Sequence, residues 1–395
     1  MAKKTAMNIV FFHSNGIVPT LGGISRITAI LGALFVDKGN NVWYIGAQDK
    51  HKGQKYCSWQ SFLPSSKLFA DENIRYIVNF IKEHQVDVII NQCALDHHSA
   101  QFLALCKKEV DFLLVSCFHN SILTPVLNGA YQKEYLLKTK GFGWLFYLMK
   151  TRLISSIMTT FYICKYRKHY LSTVQNSDRV VLLCDGQQSE LYRMCGIISS
   201  EKVRVIPNCT DINIEQPQCK EQTVVWVGTF DYSVKRPDNM LRIWKQVESK
   251  HPDWSLLMLG DGPSWKEMKE LSKSLGLRRV SFCGRVQPEE YYKKSSILCV
   301  TSVHESFSLV TLEAQRAGCV PILNNAFSPA PMLIQDGENG YLVPAFDNNA
   351  FANMLDSLMN NPVKREKMSM KAVESIKRFS LDVVYAQWLK ELKND

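Results

Sequence analysis

Two glutamates, Glu305 and Glu313, stand eight residues apart in the stretch from Ser302 to Ile322. An apolar run precedes the stretch and its last residues are apolar again, which predicts a strand, a loop with Glu305, a helix with Glu313 and a second strand. We expect the first turn of that helix to have unpaired amides that attract anions. Its start comprises Ser306, Phe307, Ser308 and Leu309. Two carboxylates beside an anion site suit a ligand with hydroxyls and phosphate, such as a nucleotide sugar. The alternative is that Glu305 only caps the helix and Glu313 is a solvated helix residue, which is the more common situation for an isolated glutamate pair.

The whole string around the two glutamates is more specific than the pair. It has the form S-x-x-E-S-F-S-L-V-x-L-E-A-x-x-A-G-x-x-P. This string resembles the E-x7-E signature of the retaining family 4 glycosyltransferases, which have the GT-B architecture. The resemblance implies an α/β fold with two Rossmann-like domains facing across a cleft. It also implies that Glu305 binds the hydroxyls of a donor sugar and Glu313 the ribose hydroxyls, and neither is predicted to be a nucleophile.

A second motif begins at Gly228 and reads G-T-F-D-Y-S-V-K-R. It resembles the family's G-R-[LF]-x(4)-K motif, in which Lys235 would contact the donor diphosphate. Thr229 stands where the family usually has arginine, and threonine cannot pair bidentately with phosphate. Arg236 and Arg26 are candidates to compensate. The other donor-binding candidates at strand ends are Gly228, Gly260 and Arg285.

The first half of the chain contains two further candidate positions. An apolar strand, residues 8–12, leads through a loop to Gly22 and Gly23, which open a run with helical periodicity. Glycine at such a junction lets the backbone approach a phosphate closely, and G-G-x-x-R resembles the family's first-loop motif. His119 directly follows another predicted strand. A lone histidine is more often structural, but S-C-F-H-N resembles the context of the family's histidine beside the donor sugar.

The order of strands and helices predicts two domains, each with a parallel sheet covered on both faces. A chain of 395 residues is long enough for two domains of ordinary size. The predicted parts are an N-terminal Rossmann-like acceptor-binding domain, residues 1–211, a C-terminal Rossmann-like nucleotide-sugar-binding domain, residues 212–370, and a terminal helix that packs back on the N-terminal domain, residues 371–395. Residues 203–211 resemble the family's interdomain segment, with Cys209 in place of glycine, and residues 213–222 are the predicted linker.

Residues 131–170, within the predicted N-terminal domain, form a basic and aromatic segment. Eight lysines and arginines stand there against one acid, Glu134, among bulky apolar side chains. This pattern is typical of helices that lie in a membrane interface, and it fits ordinary core helices with solvated lysines equally well. The apolar stretch 153–164 is too short to span a bilayer. If these helices lie in a membrane interface, this segment is where the enzyme meets a lipid-linked acceptor.

Composition and charge bear on the kind of partner, the cellular compartment and the need for a metal. The net charge of +10 calls for an anionic partner, yet no nucleic-acid recognition motif is present. Twelve cysteines without metal-type spacing indicate a reducing compartment, and the N-terminal apolar run resembles a first strand more than a signal peptide. The sequence has no Asp-x-Asp pair. We therefore expect no metal and no cofactor besides the nucleotide sugar, with the leaving diphosphate stabilised by basic groups and amides.

Together these features predict a retaining, metal-independent glycosyltransferase with Glu305, His119 and Lys235 as its catalytic residues. The expected donor is a UDP-sugar. The expected acceptor is a lipid-linked saccharide of capsule or lipopolysaccharide biosynthesis, met by a cytoplasmic enzyme at the inner face of the membrane. Two alternatives remain, a GT-B sugar-nucleotide epimerase and a weakly active GT-B scaffold, for which Thr229 is the one hint.

Overall fold

The structure is a computed structural model that describes residues 6–50, 56–57, 59–210 and 220–393. Within these ranges the chain forms two parallel sheets, of seven and six strands, with helices connecting the strands. The predicted α/β class with two parallel sheets is confirmed. Most of the predicted linker over residues 213–222 lies outside the described residues.

The bounds of the elements follow the alternation of apolar and polar segments in the sequence. The strands are β1 (Asn8–Asn15), β2 (Asn41–Gln48), β3 (Gln60–Phe62), β4 (Val88–Asn91), β5 (Leu113–Cys117), β6 (Arg179–Leu182), β7 (Val203–Val205), β8 (Glu221–Val227), β9 (Ser255–Leu259), β10 (Val280–Gly284), β11 (Ser295–Val300), β12 (Val320–Asn324) and β13 (Tyr341–Val343). The helices are α1 (Gly23–Asp37), α2 (Asp71–His84), α3 (His97–Cys106), α4 (Thr124–Leu127), α5 (Gly129–Thr139), α6 (Gly143–Met149), α7 (Arg152–Asn176), α8 (Asp185–Cys195), α9 (Pro237–Val247), α10 (Trp265–Ser274), α11 (Glu289–Lys294), α12 (Leu309–Arg316), α13 (Ala330–Leu333), α14 (Asn348–Asn360), α15 (Pro362–Ser375) and α16 (Leu381–Leu392).

The first sheet has the order β3-β2-β1-β4-β5-β6-β7, and every neighbouring pair is parallel. Its central strands are rich in buried apolar residues, because helices cover both faces. Alternate residues of β1 enter opposite cores, with Phe11 on one side and Phe12 on the other. On the Phe11 side, Trp388 of α16 is buried and contacts Phe35 of α1 edge-on. The strand order reverses between β1 and β4, and such a switch point is where ligands bind in open α/β sheets.

The second sheet repeats this plan with the order β10-β9-β8-β11-β12-β13, again all parallel. Its core contains Trp226 of β8 and Trp244 of α9, both fully buried. The switch point lies between β8 and β11. The loops that follow these two strands therefore hold the best-placed ligand-binding positions of this sheet.

The chain divides into two compact units: the described residues of 1–122, 163–211 and 380–395, and those of 123–162 and 212–379. This division differs from the predicted boundaries, which placed all of residues 131–170 in the N-terminal domain. Residues 123–162 belong to the second unit because Asn128 donates hydrogen bonds to the carbonyl oxygens of Val303 (2.8 Å) and Ala326 (2.7 Å). These partners lie at least 175 positions away from Asn128 in the chain, so local sequence patterns do not reveal the contacts.

Candidate active site

Lys235 and Glu305 form an ion pair in the second unit, at the carboxyl ends of the adjacent strands β8 and β11. Lys235 Nζ lies 2.6 Å from Glu305 Oε1, and Ser302 Oγ donates a hydrogen bond of 2.6 Å to the same oxygen. Glu305 is buried and Lys235 is half-buried. This arrangement offers a cation for phosphate and a carboxylate for hydroxyl groups at one point.

Buried hydrogen bonds fix the two loops against each other. Thr301 Oγ1 lies 2.9 Å from the carbonyl oxygen of Lys235 and 3.0 Å from that of Arg236. The same hydroxyl accepts a hydrogen bond of 3.0 Å from the indole of Trp226 in β8. The backbone on either side of the ion pair is therefore held by the core of the sheet, which pre-positions the two charged groups.

Arg236 is committed to structural contacts. Its side chain is 2% exposed, and its backbone has a left-handed conformation with φ 54° at the start of α9. All five of its N–H donors are used: two bonds of 3.0 Å reach Asp238, one of 2.9 Å reaches Asn239, and two of 3.0 Å reach Glu134 and the carbonyl of Tyr131. No donor remains for a phosphate. The prediction that Arg236 compensates for Thr229 is therefore wrong.

Helix α12 begins at Leu309, later than predicted. Ser308 precedes it with φ 66°, so the unpaired amides of the first turn belong to residues from about 309 onward rather than to Ser306 and Phe307. The ring of Phe307 is buried and packs edge-on against Phe379, with centroids 5.8 Å apart. The side chain of Phe307 is thus part of the core.

Glu313 lies inside the second unit and is 2% exposed. The hydroxyl of Tyr292 lies 3.3 Å from Glu313 Oε2. A solvated helix residue would be exposed, so that alternative does not describe Glu313. Burying a carboxylate is costly unless partners satisfy it, which makes this residue an unusual feature of the helix.

The strand ends of β8, β9 and β10 meet side by side near the ion pair. Gly228 N donates to the carbonyl of Leu259 (3.0 Å), and Gly260 N donates to that of Gly284 (2.7 Å). Gly260 has φ 122°, and a Cβ there would lie 2.0 Å from the carbonyl oxygen of Gly228. Only glycine fits this close approach. Thr229 and Arg285, the predicted donor contacts beside these glycines, are both exposed.

Gly22 and Gly23 lie in the first unit, where they begin α1 after β1. Gly22 has φ 145°, a conformation that favours glycine, and its carbonyl accepts a hydrogen bond from Arg26 N (3.0 Å). A Cβ at either glycine would meet no atom of the described chain within 4 Å. The start of α1 is therefore sterically open, as a phosphate contact requires.

His119 is also in the first unit, just beyond β5, and its ring is buried. Its Nε2 hydrogen-bonds to Gln92 Oε1, while no group of the described residues pairs with Nδ1. Burial lowers the pKa of His119 to about 4, and His13 contributes to that shift. The ring is therefore neutral at physiological pH.

Sequence reasoning missed three residues around these sites. Gln92 follows β4 as His119 follows β5, so adjacent strands bring the two together, and this parallel placement is a readable signal. Ser302 and His304 both lie inside the S-x-x-E string. Burial lowers the pKa of His304 below its usual value, although Glu305 opposes that shift.

The basic segment presents a row of exposed apolar side chains. Trp144 is 66% exposed, Leu153 is 70% exposed and Phe161 is 68% exposed. They lie on α6 and the first part of α7, among exposed Lys140, Lys150 and other basic residues. The described helices include none that is both long and apolar enough to cross a membrane.

The two sheets, each with the Rossmann strand order, define a GT-B fold. A solved structure of the same fold is HepE of Anabaena in complex with UDP, with a TM-score of 0.74 and 18% identity over 98% of this chain and 99% of that one. This likeness concerns the fold.

The second half of the chain is similar to a known family. The model for "Glycosyl transferases group 1" matches residues 210–375. An uncharacterized glycosyltransferase of Haemophilus influenzae is 28% identical over 220 residues, 54% of this chain and 61% of that protein. The Campylobacter jejuni GalNAc-alpha-(1->4)-GalNAc-alpha-(1->3)-diNAcBac-PP-undecaprenol alpha-1,4-N-acetyl-D-galactosaminyltransferase is 28% identical over 189 residues, 47% of this chain and 52% of that protein. The matches thus span about half the length of these relatives.

Proposed function

We propose that this protein is a retaining, metal-independent glycosyltransferase that moves a sugar from a UDP-sugar to a lipid-linked saccharide in cell-envelope polysaccharide synthesis. The observation that carries the proposal is the Lys235–Glu305 ion pair at the β8–β11 switch point. The match of residues 210–375 to the model for "Glycosyl transferases group 1" supports the reaction class. The UDP in the HepE structure supports the nucleotide, and the undecaprenol-linked substrate in the name of the Campylobacter relative supports the acceptor.

In the proposed reaction, the bond between the sugar's anomeric carbon and the donor's phosphate oxygen breaks, and a bond from that carbon to an acceptor hydroxyl oxygen forms on the same face. The acceptor's proton passes to the departing phosphate oxygen, which balances charge without a base from the protein. Lys235 stabilises the charge that develops on the diphosphate, and this favours the transition state over the bound substrate.

The carboxylates have binding roles in this proposal. Glu305 accepts hydrogen bonds from the donor sugar, and Ser302 holds its Oε1 in place. Glu313 accepts from the ribose hydroxyls, since an acidic residue at a Rossmann switch point is suited to that contact. His119 donates or accepts through a neutral ring and orients the sugar without carrying charge.

A screen of the purified protein against UDP-, GDP-, ADP- and CMP-sugars, with and without EDTA, tests this function. We expect thermal stabilisation by UDP-sugars above the other nucleotide sugars, and slow release of UDP that EDTA does not change. Release that stops with EDTA and returns with Mg²⁺ would contradict metal independence. No stabilisation by any donor would favour the scaffold alternative, for which the exposed Thr229 and the fully paired Arg236 are the specific observations.

We also propose that the exposed apolar row on α6 and α7 lies in the membrane interface. Arginine and lysine side chains flank the row, which suits anionic lipid headgroups. Replacing Trp144, Leu153 and Phe161 together by serine should weaken binding to phosphatidylglycerol vesicles at least about tenfold, since each apolar side chain loses part of roughly 1.5–3 kcal/mol of burial energy. Ile198 is 96% exposed outside this segment, so Ile198→Ser is the matched control and should bind normally. Equal binding by the triple variant and the control would contradict membrane docking.

A further inference from the structure

A cluster of potential metal ligands lies in the first unit, at the start of α3. Asp96 caps this helix: its Oδ1 accepts a hydrogen bond of 3.2 Å from His98 N and lies 3.1 Å from His98 Nδ1. One ligand atom from each of Asp96, His97 and His98 lies within 4.8 Å of the other two. Asp96 and His98 are exposed, so an ion can reach the cluster from solvent.

A second helix fixes the ring of His97. The imidazole of His169 on α7 stacks on it, with centroids 4.1 Å apart and an angle of 7° between the rings. Thr173, one turn further along α7, donates a hydrogen bond of 3.0 Å to the carbonyl of Ala94 in the loop before α3. These contacts hold the His97 ring and the loop before α3 against α7.

We propose that Asp96, His97 and His98 bind a zinc ion. Two imidazole nitrogens and one carboxylate oxygen form a donor set that zinc prefers, with one coordination position left to water. Zinc–ligand distances of about 2.0–2.2 Å require the ligand atoms to lie closer together than 4.8 Å, so in this proposal the three side chains change rotamer when zinc binds.

The charge of Asp96 is essential to this site. The N-terminus of α3 carries a partial positive charge that opposes a cation, so the two imidazoles alone would bind zinc poorly. The Asp96 carboxylate offsets that field and supplies the third ligand. Through the His97–His169 stack, bound zinc would also hold α3 against α7.

This site does not share a residue with the proposed donor site, since Asp96, His97 and His98 have no role in the proposed sugar transfer. Bound zinc would stabilise the first unit, to which its three ligands belong. A variant can therefore lose zinc binding and keep donor binding, or the reverse.

Zinc titration of the full chain, purified without a polyhistidine tag, tests the proposal. In competition with a chromophoric chelator, we expect one equivalent to bind to the wild type and to raise its melting temperature. Asp96→Asn and the double variant His97→Gln/His98→Gln should each bind at least about tenfold more weakly and lose the thermal shift, whereas His84→Gln on α2 should match the wild type. Binding that is unchanged in both cluster variants, or absent from the wild type, would overturn the assignment.

Discussion

The buried Arg236 cluster allows a quantitative prediction about the second unit. Arg236→Met removes a guanidinium whose five donors satisfy Asp238, Asn239, Glu134 and a carbonyl oxygen. The side chains of Asp238 and Glu134 are 3% and 18% exposed. Without Arg236, Asp238 is left buried without its cation, and Glu134 keeps only Lys138 as a partner. Breaking a buried ion pair from one side costs about 3–5 kcal/mol. We expect Arg236→Met to lose about that much unfolding free energy, a large share of the roughly 5–15 kcal/mol that a protein has.

Urea unfolding followed by tryptophan fluorescence measures this loss, since Trp226 and Trp244 lie in the core of the second unit. Arg242→Met is the matched control, because Arg242 is exposed on the same helix and should change stability by no more than about 0.5 kcal/mol. Adding Asp238→Asn to Arg236→Met should restore part of the loss by removing one uncompensated charge. Equal unfolding midpoints for Arg236→Met and Arg242→Met would refute the role given to the cluster.

Four further predictions concern pH and activity. Burial alone would raise the pKa of Glu134, but Arg236 and Lys138 lower it overall below its ordinary value. The stabilising contribution of this carboxylate is therefore present above the ordinary glutamate pKa and is lost as the pH falls. Urea midpoints across acid pH should accordingly fall less steeply for Glu134→Gln. Because burial lowers the pKa of His119 to about 4, the pH profile of kcat/KM should show no inflection from this residue near pH 6.5. An inflection near pH 6.5 that disappears in His119→Gln would contradict a buried, neutral ring. Glu305→Gln should lower turnover about a hundredfold or more while its circular dichroism stays unchanged. Thr229→Arg should raise turnover because it restores a bidentate phosphate contact, and an unchanged rate would show that this contact is not limiting.

Residue chemistry and strand periodicity together indicated the candidate site residues. Glu305 and Lys235 each follow an apolar strand, and parallel strands bring such loops to one edge of a sheet. The strands β3 and β13 were not predicted; each has three residues and lies at an edge of its sheet. Runs this short carry a weak periodic signal.

Long-range contacts explain the predictions that differ from the structure. The sequence made Arg236 a candidate phosphate contact, yet the structure pairs it with Glu134, which lies 102 positions away in the chain. The same pairing helps to place residues 123–162 in the second unit. Glu313 looks like an exposed helix residue by type, and only the packing of α12 shows that it is buried. Contacts of this kind depend on tertiary structure, which local propensity does not encode.

Binding of UDP and of a UDP-sugar to three proteins tests the central role of the Lys235–Glu305 pair. Isothermal titration of the wild type, Lys235→Met and Glu305→Gln separates the two parts of the ligand. We predict that Lys235→Met weakens binding of both ligands, because both contain the diphosphate, and that Glu305→Gln retains UDP affinity but loses the additional affinity contributed by the sugar. Wild-type affinities for both ligands in both variants would contradict the assignment of this ion pair as the donor site.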